Sequence, residues 1–219
     1  MARTLLLDLD GTLVDTLPDL AAALNRLMRS RGLAPFSRPE VALMIGDGVS
    51  VLVGRAFAAR GREQDDQALP EFSRDYGAHL ADGSQPFPGI PDFLREFSEA
   101  GWRLAVCTNK PEAAARTLLG SLDLLRYIAA VGGGDSFPVR KPDPAHLLFT
   151  LKQVGGDPAA TAMVGDHRND VAAATGAGVK SVFVTWGYGP PAMAEGADAV
   201  AHDLAELGRF LQALVPAAA

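Results

Sequence analysis

Apolar positions along this chain follow two rhythms. Short apolar runs fall within residues 5–9, 104–107, 162–164 and 182–184, with a weaker fifth at 128–131, and each reads as a strand. Between them the apolar residues recur at helical spacing. Pro91 opens a helix carrying Phe93, Leu94 and Phe97, and Gly101 closes it. Asp143-Pro144 sets an N-cap before a first-turn proline, ahead of an apolar face of Leu147, Leu148 and Leu151, and Gly155-Gly156 stops that helix. Strand and helix in alternation predict an α/β fold, a doubly wound parallel sheet of Rossmann-like kind.

From about residue 16 to residue 82 the alternation stops. Leu17, Leu20, Leu24, Leu27 and Met28 keep helical spacing, with Thr16 and Asp19 placed as a capping box. A second helix is expected after Gly48 (Val51, Leu52, Ala56, Phe57) and a third near residues 68–80. Residues 83–89 read as a return linker. The expected organisation is a core of residues 1–15 and 83–219 with a small helical segment, 16–82, inserted after the first strand. There is no internal repeat, and residues 216–219 are expected to fray.

Composition narrows the field. The 219 residues are 48% hydrophobic and 21% charged, as in an ordinary globular chain with a real core. A formal net charge of -6 gives no bulk electrostatic reason to bind nucleic acid or an anionic membrane surface, so an anionic ligand needs local cations. The single cysteine, Cys107, forms no intramolecular disulfide and fits a reducing compartment. No apolar stretch has the length of a signal-peptide core or a membrane span, and a cytoplasmic location is expected.

Polar residues collect where the strands end. Asp8 and Asp10, two apart, place both carboxylates on one face, and their repulsion calls for a cation; Mg²⁺ suits oxygen donors. Thr108-Asn109-Lys110 follows another strand and suits phosphate oxygens. In Arg140-Lys141-Pro142 the proline keeps Lys141 out of helical geometry just before a helix; the only other lysines are Lys110, Lys152 and Lys180. Gly165-Asp166 ends a further strand, with Asp170 one helical turn on. Each feature also has a plain structural reading: turn aspartates, Thr/Asn caps, a solvated lysine, an N-cap with a first-turn acid. Their assortment at successive carboxyl ends of one sheet is what favours chemistry.

The series Asp8-Leu9-Asp10-Gly11-Thr12, Thr108-Asn109-Lys110, Lys141-Pro142, Gly165-Asp166 and Asp170 resembles the haloacid dehalogenase-like hydrolase superfamily over essentially the whole chain. The helical insert resembles that family's small cap, and residues 44–53 resemble the cap segment of phosphoglycolate phosphatases, as do residues 86–90, 133–135 and 185–189. The resemblance implies a phosphatase for small phosphate monoesters, with 2-phosphoglycolate the best single substrate. Asp8 would be the nucleophile that forms an aspartyl-phosphate, and Asp10 the general acid and base. Thr108, Asn109 and Lys141 would hold the phosphoryl group. Mg²⁺ would sit on Asp8, the main-chain carbonyl of Asp10 and Asp166, with Asp170 either a further ligand or a residue that orients the others. In the insert, Gly46 and Gly48 would form a tight loop facing the core, and Arg55 would pair with a substrate carboxylate.

Other readings of the same motifs are sugar phosphates, nucleotides or pyrophosphate as substrate, a β-phosphoglucomutase-type transferase, or a non-enzymatic phospho-acceptor module. Asp10 argues against dehalogenation, and the absence of lysine from the insert argues against phosphonate cleavage through a Schiff base. His167 reads as a solvated or supporting side chain rather than a metal ligand. The expected partner is a small-molecule phosphate ester, with neither nucleic acid nor membrane, and nothing in the pattern specifies an oligomer.

Overall fold

The computed structural model describes residues 3–217. Six parallel strands make one sheet, ordered β5-β4-β1-β6-β7-β8: β1 (Thr4–Leu7), β4 (Arg103–Cys107), β5 (Ala130–Gly132), β6 (Thr161–Gly165), β7 (Lys180–Val184) and β8 (Ala199–Ala201). β1 lies at the centre, with Leu5 opposite Leu104 on one side and Ala162 on the other. Its residues alternate between two apolar layers. Leu5 and Leu7 pack with Val106, Val164 and Ile90, while Leu6 packs with Ala105, Met163, Leu147 and Leu151. A strand buried on both faces has no polar side to show, which is why its sequence is an unbroken apolar run.

Helices cover both faces: α5 (Ile90–Glu99), α6 (Glu112–Ser121), α7 (Pro144–Gln153), α8 (Arg168–Ala177) and α9 (Leu204–Leu214). Asp143 caps α7 as expected, its side chain accepting from the Ala145 N–H. Leu148, expected on the inner face of α7, is instead partly exposed; the buried face is His146, Leu147, Thr150 and Leu151. β8 escapes the sequence pattern because Ala-Val-Ala on a sheet edge carries little apolar contrast.

β1 stops at Leu7, two residues before its apolar run ends. The Leu9 carbonyl then accepts from the Thr12, Leu13 and Val14 N–H groups, a tight turn that takes the chain off the sheet. A short antiparallel pair, β2 (Val14–Asp15) with β3 (Gln85–Pro86), carries the chain out to the insert and back, so part of the expected linker is a strand. The capping box expected from Thr16 and Asp19 does not form. Thr16 makes no side-chain cap bond, and Asp19 accepts from the Gly83 and Ser84 N–H groups and the Ser84 hydroxyl, tying exit to re-entry. The Tyr188 hydroxyl caps the helix instead, accepting from the N–H groups of Thr16 and Leu17 at 2.7 and 3.0 Å.

The insert holds α1 (Leu17–Ser30), α2 (Arg38–Ala42), α3 (Val49–Ala59) and α4 (Ala68–Ala78). These helices share a core of their own, including Leu24, Met28, Phe36, Val53, Phe57 and Phe72. The short α2 was not expected; Glu40 accepts from the Ser37 N–H in a capping box just outside an apolar run too brief to declare a helix. The fraying expected at residues 216–219 lies partly outside the described residues. Among the described residues no helix is long and apolar enough to cross a membrane.

Candidate active site

The sheet delivers polar side chains to one edge because all its strands point the same way. Asp8 follows β1, Thr108 follows β4, Asp166 follows β6, and Asp170 lies in the first turn of α8. Carboxylate oxygens of Asp8, Asp166 and Asp170 lie within 4.8 Å of one another, all three residues buried. Lys141, in the loop before α7, enters this cluster. Its ammonium donates to Asp170 Oδ1 at 2.6 Å and to the Cys107 carbonyl at 2.6 Å, and it sits 3.1 Å from Asp8 Oδ1. Two hydrogen bonds and the adjacent Asp8 carboxylate thus compensate the buried ammonium.

The charges do not balance. Burial opposes a charged Lys141, but Asp170 and Asp8 outweigh it and hold the lysine above its ordinary pKa. Burial and the neighbouring Asp8 push Asp166 up to about 6. Asp170 is raised as well, by burial and by Asp8, although Lys141 works the other way. Three buried carboxylates with one lysine are short of positive charge, and the donors are all oxygens, so the residues present fit a hard divalent cation such as Mg²⁺. Asp166 is already aimed: its Oδ1 accepts from the Thr12 hydroxyl at 3.0 Å and its Oδ2 from the Tyr188 N–H at 2.8 Å.

The carboxylate of Asp10 stands apart from this cluster. It meets the Lys110 ammonium at 3.0 Å, and that ammonium also donates to the Tyr76 hydroxyl at 2.6 Å, a residue of α4 in the insert. The Thr108 hydroxyl accepts from the Lys110 N–H at 3.2 Å and borders the same cleft. Asn109 works as a strap: its Nδ2 donates to the carbonyls of Gly46 and Lys141 at 3.0 and 2.9 Å. Asp8, Asp10, Thr108, Asn109 and Lys110 form the floor and side of a cleft whose insert wall is Leu20, Ile45, Gly46, Gly48, Val49 and Leu52.

The Gly46-Asp47-Gly48 loop is therefore brought against the core. A Cβ on Gly46 would collide with the ring of His167, and that residue's φ is +116°, so only glycine fits there. Asn169 completes the dock, donating to Asp47 Oδ1 at 2.7 Å. Arg55 is placed elsewhere. It donates to Asp47 Oδ2 at 2.5 Å and to the Met44 carbonyl at 3.0 Å and does not line the cleft. His167 is buried rather than solvated. It is the N-cap of α8, its Nδ1 accepting from the Asn169 N–H, while burial holds its pKa down.

A family model described as haloacid dehalogenase-like hydrolase matches residues 5–184. The chain belongs to that family. Among curated relatives of this hydrolase, a phosphoglycolate phosphatase of Agrobacterium fabrum is 44% identical over 205 residues, covering 91% of this chain and 88% of the relative. One from Caulobacter vibrioides is 41% identical over 209 residues, covering 93% and 88%. The crystal structure of a predicted phosphoglycolate phosphatase from Haemophilus somnus superposes with a TM-score of 0.87 at 31% identity, covering 96% of this chain and 98% of that one.

Sequence reasoning missed several residues that shape this hydrolase's site. Lys110 stood in the quoted motif without a role, and Tyr76 of α4 carried no sequence signal of its own. Nothing local shows that the two meet, since they lie 34 residues apart and on different layers. Thr12 and Tyr188 were passed over for the same reason. Cys107, by contrast, is a buried core residue, and burial pushes its thiol up to about 12.

Proposed function

We propose that this hydrolase is a Mg²⁺-dependent phosphatase that hydrolyses 2-phosphoglycolate through an aspartyl-phosphate on Asp8. The observation that carries the reading is the cluster of Asp8, Asp166 and Asp170 around Lys141, with the separate carboxylate of Asp10 at its rim. The naming of the curated relatives supports the choice of substrate.

In this reading Asp8 attacks phosphorus and the ester oxygen leaves in line with it. Lys141 brings positive charge beside Asp8, so an anionic nucleophile meets an anionic ester without prohibitive repulsion. The Thr108 hydroxyl and neighbouring main-chain N–H groups hold the phosphoryl oxygens, with Asn109 fixing the loop that presents them. Asp10 gives its proton to the departing oxygen and then takes one from the water that attacks the aspartyl-phosphate. The two carboxylates divide these tasks by position, Asp8 within the cluster beside Lys141 and Asp10 at its rim beside Lys110. Mg²⁺, when held by Asp8, the Asp10 carbonyl, Asp166 and Asp170, would supply further positive charge to the phosphoryl oxygens.

The insert then acts as a cap whose apolar wall excludes water from the phosphoryl group. That wall offers no side-chain hydrogen-bonding group from Leu20, Ile45, Val49 or Leu52, which favours a short ester over a hydroxyl-rich sugar. The test is phosphate release from a panel of monoesters with Mg²⁺ and then with EDTA. The expected result is fastest release from 2-phosphoglycolate, falling to background with EDTA. Unchanged release under EDTA, or a sugar phosphate as the best substrate by a wide margin, would overturn it.

A further inference from the structure

Most polar hydrogens around the cleft are already spent on the protein itself. The Lys110 ammonium meets both carboxylate oxygens of Asp10 and the Tyr76 hydroxyl. The Asn109 amide gives its hydrogens to the carbonyls of Gly46 and Lys141. Tyr188 directs its hydroxyl hydrogen to Asp15, and the Arg55 guanidinium is held by Asp47 and the Met44 carbonyl. The Thr108 hydroxyl is left for the phosphoryl group. A second anionic group on the substrate therefore has few donors to meet.

His167 supplies one. Its Nδ1 accepts from the Asn169 N–H at 3.3 Å, which places the ring's single hydrogen on Nε2. Among the described residues nothing accepts from that Nε2–H, and the neighbouring Asp47 carboxylate takes Asn169 and Arg55 instead. The residue is only 5% exposed, so a donor left unmet there is costly. Its surroundings are nonetheless open on one side. His167 lines a second mouth of the cleft, between the end of α2 and the loop after β7, with Asp8, Asp10, Gly46, Asp166 and Met193. A Cβ on residue 46 would stand 2.7 Å from Nε2, so the glycine there leaves this edge of the ring uncovered.

We propose that the His167 Nε2–H binds the substrate's carboxylate, one carbon beyond the ester oxygen, and so selects an acid-bearing ester over a neutral one. This rests on the phosphatase reading above. The two mouths of the cleft meet at Asp8 and Asp10. An ester oxygen beside Asp10 opens onto both, and only the second mouth holds a side-chain donor without a task. Asp10 is compensated there by Lys110, and Asp166 would be by the cation it helps to hold, so neither repels an incoming carboxylate at full strength. An N–H donating to a carboxylate makes a charge-assisted bond, whereas a neutral ester of the same length leaves the donor unmet.

Calorimetric binding of two non-hydrolysable probes to the full chain with Mg²⁺ tests this: 3-phosphonopropionate, which has the carboxylate, and propylphosphonate, which lacks it. The wild type is expected to favour the first by about 20-fold, within the worth of one hydrogen bond to a charged group. Two variants separate binding from helix capping. His167→Asn keeps a preferred N-cap but withdraws the Nε2–H. Its Tm should stay within about 2 °C of wild type while the preference falls to about threefold or less. His167→Gln offers an amide N–H near the Nε2 position but caps α8 poorly. A preference of about 5-fold or more should survive there, despite a fall in Tm of roughly 2–4 °C. If the wild type prefers the carboxylate and His167→Asn keeps that preference, the inference falls and the phosphatase reading stands. If His167→Gln loses the preference as fully as His167→Asn does, the donor assignment falls in the same way. A wild type without any preference would remove the choice of 2-phosphoglycolate as well, and one that binds neither phosphonate would overturn the phosphatase reading with it.

Discussion

The two walls of the cleft are built on opposite principles. The core wall is charged and over-determined: Asp8 and Asp166 converge from strand ends with Asp170 from the first turn of α8, and Lys141 bonds Asp170 and the Cys107 carbonyl while lying 3.1 Å from Asp8. The insert wall is apolar, made of Leu20, Ile45, Val49 and Leu52 around a glycine loop. Buried charges that compensate one another tolerate little change, because removing one strands the rest. An apolar wall sets only size and dryness. On the proposed function, reaction type belongs to the core side and selection among esters by size to the insert side, with Lys110–Tyr76 and Asn109–Gly46 polar links between them.

Substitutions at the two walls should separate sharply. Asp8→Asn removes the proposed nucleophile and should lower kcat by about 10,000-fold or more, read as phosphate release. Activity within tenfold of wild type would break the assignment. Lys141→Met leaves Asp8 and Asp170 without their shared counter-charge. It should cost about 3–5 kcal/mol, a fall in Tm of roughly 10 °C for a chain of this size, measured in EDTA.

A pH series sharpens the contrast without touching either wall. Asp166 is raised to about 6 by burial and by Asp8, against an ordinary carboxylate value near 4. A raised carboxylate binds its proton more tightly in the folded state. Its contribution is thus fully present below about pH 4 and is lost as pH rises through about 6. In EDTA, stability should fall across that window by on the order of 3 kcal/mol, and Asp166→Asn should flatten the slope. With saturating Mg²⁺ the slope should reverse, since protons and cation compete for the same oxygens.

Effects at the insert should be smaller. Val49→Ala should raise KM by roughly 5-fold with kcat nearly unchanged, because it trims a wall and no reacting group. A large fall in kcat instead would mean that the insert wall positions the reacting atoms. Smallest of all, Arg55→Ala removes a partly exposed ion pair with Asp47, which Asn169 also holds. Stability should change by at most about 1 kcal/mol, and KM should stay within about threefold.

How much was legible follows from how far each signal reaches. Buried strands announce themselves because burial on both faces leaves only apolar residues, so β1, β4, β6 and β7 were plain while β8, at a half-buried edge, was not. Asp8, Asp166 and Lys141 were legible because a turn after a strand is a local event, and parallel strands send all such turns to one edge. Asp19 and Leu148 were misread for the complementary reason: a capping pattern or an apolar spacing says what a helix permits, not which neighbour it meets.

By itself, then, the sequence determined the parallel sheet, the place of the helical insert and the oxygen-donor chemistry at the strand ends. Each is dictated by residues within a few positions of one another. The tertiary structure alone decided that Tyr76 meets Lys110, that Arg55 turns to Asp47, and that Asp170 shares Lys141 with Asp8. Those pairings join residues on different layers, and which partner a charged side chain takes depends on distance and burial that only the folded packing sets.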